Sequence, residues 1–95
     1  MIVVRNVFRC KPGQAKELVG RLKKGMAATK PRVKHRVLTD VAADFWTVVL
    51  ETEHADLAAW KQTLGSYAES EKVQKAMAGY MDLVDGGHRE IFNIE

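Results

Sequence analysis

Two stretches of this 95-residue chain repeat their apolar residues at helical spacing, and each is framed by stretches that alternate as strands do. IVVRNVFRC (2–10) is rich in β-branched residues and ends near the breaker pair Pro12-Gly13. Ala15, Leu18, Val19, Leu22 and Met26 then recur at helical spacing, and Gly25 and Lys30-Pro31 close that helix. RVKHRVLTD (32–40), a VAAD turn and FWTVVLETE (45–53) read as two further strands. Leu57, Trp60 and Leu64 open a second helical region, interrupted at Gly65 and resumed after Ser66 or Ser70. Val73, Met77, Tyr80, Met81 and Val84 continue its apolar stripe. Asp85-Gly86-Gly87 reads as a turn before a last strand, HREIFNIE (88–95). The order is βαββαβ. Right-handed crossovers then put both helices on one face of a four-stranded antiparallel sheet in the order 4-1-3-2. The expected fold is α+β, ferredoxin-like, one domain over residues 1–95.

Period-2 alternation divides each strand between two faces. The face toward the helices is expected to carry Ile2, Val4 and Phe8, Val33 and Val37, Trp46, Val48 and Leu50, and Phe92 and Ile94. The other then carries Val3, Val7, Leu38, Phe45, Val49 and Ile91 among the charges Arg5, Arg9, Lys34, Arg36, Glu51, Glu53 and Arg89. A solvated face of an antiparallel sheet should be mostly polar, and this one is not. A second copy of the sheet is the expected cover, giving a homodimer. Glu51 and Glu53 share that face with Arg5, Arg9 and Arg36, so opposite charges there pair across the ladder and fix register at the interface.

The net charge of +3 conceals a division. Residues 1–36 hold 11 of the 15 Lys and Arg and one acid, whereas residues 37–95 hold 4 bases and 11 acids. These charges pair within the fold or present two opposite surfaces. The single cysteine, Cys10, suits a reducing compartment, and neither a signal peptide nor an apolar run of the roughly 20 residues of a membrane span is visible. A cytoplasmic protein without membrane contact is expected. Nucleic acid is not an expected partner, because strand 3 offers one aromatic and two carboxylates on its open face, and these would repel phosphate. His35, His54 and His88 are scattered and no metal-ligand spacing is present, so no metal site is expected.

KPGQAKEL after a first strand, RVLTDV followed by WTVVLETEHADLAAW, and the ending GGHREIFNIE together resemble the dimeric α/β-barrel superfamily, which includes NIPSNAP-like proteins and antibiotic-biosynthesis-type monooxygenases. The resemblance runs over essentially the whole chain. It implies two ferredoxin-like subunits joined sheet to sheet, each with a pocket between sheet and helices. In the heme-degrading branch of that superfamily, an asparagine in strand 1 matches Asn6 and a tryptophan in helix 2 matches Trp60. The iron-ligand histidine of that branch is absent, and Met77 stands near its place, which disfavours heme binding and heme degradation.

The reading that follows is a small dimeric protein binding or oxidising a small apolar or aromatic molecule without a metal or flavin cofactor. Asn6, His35, Trp46, Trp60, Tyr67, Met77 and Tyr80 are its candidate pocket residues. The alternative is a non-catalytic dimerisation or stress-associated module, in which Trp60 and Met77 are core residues at helical spacing.

Overall fold

A computed structural model describes all 95 residues. Strand β1 spans Ile2–Cys10, helix α1 Ala15–Ala28, β2 His35–Thr39 and β3 Thr47–His54. Helices α2 (Leu57–Glu69) and α3 (Glu71–Met77) follow, then a 3-10 turn at Tyr80–Leu83 and β4, Val84–Asn93. The sheet is antiparallel in the order β2-β3-β1-β4, which is the topology expected from the sequence. The fold is therefore α+β and ferredoxin-like.

Leu18, Leu22 and Met26 recur every fourth residue, so α1 lays one stripe onto the sheet. They meet Cys10 from β1 and Val48 and Leu50 from β3 to form the core, with Met77, Tyr80 and Val84 packed at its margin. Leu18, Val4 and Val48 are fully enclosed. Truncating Leu18 to alanine would cost roughly 2–5 kcal/mol, the range for a buried leucine that leaves a cavity. Two caps delimit the second helical region. The Asp56 carboxylate accepts from the Ala59 amide at 2.8 Å, and the Ser70 hydroxyl accepts from the Val73 amide at 3.3 Å. The break between the two helices thus falls at Ser70, and Gly65 lies inside α2.

Three expectations are corrected. The third strand begins at Thr47: Phe45 and Trp46 take left-handed backbone angles (φ 59° and 53°) and belong to the loop. Asp85-Gly86-Gly87 is no turn, since β4 already runs through it. The faces of β4 are also reversed. Asn6 lies opposite Leu50 and Arg89, and Arg5 lies opposite Glu51 and Glu90. Directly opposed residues share a face, so Arg89 and Ile91 point toward the helices and Phe92 and Ile94 toward the open side.

The open side keeps its expected character. Val49 is buried there even within one chain, and Phe92 and Ile94 are about half exposed. One row of charges crosses all four strands: Arg36, Glu51, Arg5, Glu90. Glu51 accepts from Arg36 at 2.8 Å and lies 3.3 Å from Arg5, which reaches Glu90 at 3.7 Å. Glu53 pairs with Lys34 at 3.4 Å, and Arg9 is exposed with no carboxylate partner. Glu51 and Glu53 therefore act as structural charges of this face, while His54 points to the opposite one.

Candidate ligand cleft

No residue of α2 is buried, whereas α3 packs closely on α1. The two helices meet at Gly25, where a Cβ would stand at contact distance, 3.4 Å, from the Met77 Cγ and Sδ. With α3 drawn to α1 and α2 standing off the sheet, a cleft of about 840 Å³ opens between them. That volume lies within the range of roughly 300–1,000 Å³ usual for small-molecule sites. Asn6, Phe8 and Leu50 form its floor on the sheet. Leu64 and Tyr67 come from α2, Val73 and Met77 from α3, and Tyr80 from the 3-10 turn.

The walls are mostly apolar. Tyr80 meets Phe8 edge-on, with ring centroids 6.3 Å apart and planes at 82°. Tyr67 directs its hydroxyl at the Met26 sulfur, 3.8 Å away. Burial pushes the Tyr67 phenol above its usual range, partly opposed by the Thr29 hydroxyl nearby. At neutral pH that phenol is a proton donor.

Polarity gathers at the β4 end. The Arg89 Nε donates to the Asn6 Oδ1 at 2.6 Å, and the Arg89 Cζ lies 5.1 Å from the centroid of the Trp60 ring. Trp60 therefore does not line the cleft itself; its indole holds the arginine that does.

Of the seven pocket residues expected from the sequence, Asn6, Tyr67, Met77 and Tyr80 converge on the cleft, and Trp60 reaches it through Arg89. Two do not. His35 is exposed on β2, the edge strand, with its Nδ1 2.9 Å from the Val33 carbonyl. Trp46 sits in the β2–β3 loop, on the left-handed backbone described above, and is 46% exposed. Alternation does not reveal Arg89, because it assigns β4 to the opposite face. Its signal lay in cross-strand charge: on the other face it would have stood beside Arg5.

Elsewhere, His54 is buried at the end of β3, and its Nε2 is 2.9 Å from the Thr52 hydroxyl. Burial lowers its pKa. Cys10 is buried in the core, and that burial raises its thiol pKa, with the Asp40 charge adding to the shift. No three His, Cys, Asp or Glu side chains converge anywhere in the chain, and no helix is long and apolar enough to cross a membrane.

No protein-family profile and no curated protein sequence matches this chain. Solved structures do. A NIPSNAP domain protein from Burkholderia xenovorans superposes with a TM-score of 0.86 at 14% identity, over 100% of this chain and 95% of that one. A NIPSNAP family protein from Agrobacterium tumefaciens gives 0.85 at 17% identity, over 99% and 92%. A Chloroflexus aurantiacus protein named for the antibiotic biosynthesis monooxygenases gives 0.77 at 19% identity, again over 99% and 92%. The chain has the fold that NIPSNAP and antibiotic-biosynthesis-monooxygenase-type proteins share.

Proposed function

We propose that the chain is a homodimeric protein that binds a small, largely apolar or aromatic molecule in the cleft between α2, α3 and the sheet. The cleft itself carries this reading, because a core that closed fully would leave no such volume under Asn6 and Tyr67. The name of one structural neighbour, an antibiotic biosynthesis monooxygenase, supports an oxidative form of the reading, and we propose that form without metal or flavin. There an electron-rich substrate reduces dioxygen itself. A CH2 group becomes a carbonyl, one oxygen atom stays in the product and the other leaves as water with the two hydrogens. The chain's part is to hold the substrate apart from bulk water and place polar groups beside the charge that develops.

The dimer is proposed on the open face. Val3, Val7, Leu38, Val49, Phe92 and Ile94 share it with a charge row whose signs balance within the chain. A second sheet is the cover suited to so broad an apolar surface.

Both parts are tested on gently purified protein. A native mass spectrum is expected to show a dimer, with added mass where ligand is retained. The neutral fluorophore N-phenyl-1-naphthylamine is expected to bind saturably and to be excluded by Leu64→Trp, which fills the cleft from α2. A stable monomer would overturn the dimer. Failure of the probe to saturate would overturn the cleft, leaving the dimerisation module as the reading that stands.

A further inference from the structure

We propose that the ligand carries an anionic group, a carboxylate or comparable oxyanion, and that Arg89 receives it at the β4 end of the cleft. The inference rests on the cleft being a small-molecule site. No aspartate or glutamate lines it. Arg5, Arg21 and Arg36 each have a carboxylate within 4 Å, and Arg89 has none. The guanidinium is nevertheless fixed from two sides, by Asn6 through its Nε and by the Trp60 ring beneath its Cζ. With Nε engaged, its two terminal nitrogens form a fork that matches a carboxylate end-on. The Asn6 oxygen is also committed, so its Nδ2 amide is a second donor at the same place. An arginine ordered before the ligand arrives loses less freedom on binding than a free one.

The imidazole near this end is directed elsewhere. The His88 ring turns to Glu90, 3.1 Å away on the open face. The rest of the cleft, from Leu64 across to Met77, is mostly apolar, with Thr29, the Tyr67 hydroxyl and Gln74 as its polar groups. The site therefore suits an amphiphilic acid, its body against α2 and α3 and its oxyanion on Arg89.

The test compares two fluorophores with one ring system: 1-anilinonaphthalene-8-sulfonate, which is anionic, and N-phenyl-1-naphthylamine, which is neutral. The sulfonate is expected to bind at least about tenfold more tightly, the scale of one charge-assisted hydrogen bond. Arg89→Gln should remove that preference and leave the neutral probe unchanged, and Arg89→Lys should restore part of it. Arg36→Gln, on the opposite face, should preserve the preference. Equal binding of the two probes by the unaltered protein would overturn the anion assignment while the cleft stands. So would equal weakening of both by Arg89→Gln, or loss of the preference in Arg36→Gln. If neither probe saturates, the cleft falls first and this inference with it.

Discussion

The position of Arg89 depends on the register of β4, and that register can be tested at Gly87. Gly87 lies opposite Phe8, next to a register shift between Arg9 and Cys10. A Cβ on Gly87 would collide with the Val7 carbonyl oxygen and stand 3.2 Å from both the Val7 carbonyl carbon and the Phe8 Cα. Every atom in the way is backbone, so no side chain can rotate to make room. Gly87→Ala therefore forces β4 away from β1 over at least two residues. Two ladder hydrogen bonds at about 1 kcal/mol each, with disturbed packing over Phe8, give an expected loss of about 2–4 kcal/mol. Gly20→Ala is the internal control. It makes the same chemical change on the exposed side of α1, where a Cβ meets nothing within 4 Å. It should stabilise by up to about 1 kcal/mol through helix propensity. Urea unfolding followed by far-UV circular dichroism measures both, at one protein concentration because association shifts apparent stability. In thermal melts, Gly87→Ala should lower the midpoint by roughly 8 °C or more, at about 4–8 °C per kcal/mol. An unchanged midpoint for Gly87→Ala would mean that β4 does not approach β1 there. The pairing of Arg89 with Asn6 would then be wrong as well.

Three further outcomes are expected. Val49→Lys, which places a charge at the centre of the proposed sheet–sheet contact, should yield monomer or unfolded chain in sedimentation velocity; an intact dimer would move the interface elsewhere. Asp56→Ala should lose about 1 kcal/mol in urea unfolding, because the α2 cap is a single carboxylate bond to the Ala59 amide. The pKa of His54 is lowered in the fold, so between its folded and unfolded values the unfolded chain binds more protons and stability rises with pH. Its contribution is complete above the unfolded value of about 6.5 and fades as pH falls through the folded one. His54→Gln should accordingly flatten the acid side of the stability profile measured by urea unfolding from pH 7 to pH 4.

Much of this architecture is visible in the sequence because its causes are local. The repeat of Leu18, Leu22 and Met26 determines both the existence of α1 and its inward face. Strict alternation in β1 and β3 fixes their parity, and with it the position of Asn6 on the floor of the cleft. Trp46 misled because alternation is a pattern of residue types, and FWTVV continues it past the point where the backbone does. The two left-handed residues before Thr47 leave no trace in hydrophobicity. Helical spacing puts Trp60 on the correct helix, but its contact is with a cation from the last strand, 29 residues away in the chain. No window of helical length contains both.

The β4 error has a more specific cause, and it bears on the chemistry. Ile91, Phe92 and Ile94 are apolar on both parities, so hydrophobicity alone cannot orient this strand. Charge can. Under the parity expected from alternation, Arg89 shares the open face with Arg5, and Glu90 falls on the side that faces the helices beside Asn6. Like charges would then meet across the ladder, and a carboxylate would enter an apolar cleft with no cation to meet it. Under the observed parity, Glu90 completes the alternating row with Arg36, Glu51 and Arg5, and Arg89 is left against the Trp60 ring. The ion pairs of the open face thus select the register that makes the cleft cationic. A one-residue slip of β4 would invert the charge of the site while leaving the apolar balance of both faces almost unchanged. The open face and the cleft are accordingly one design problem, solved by the order of His88, Arg89 and Glu90.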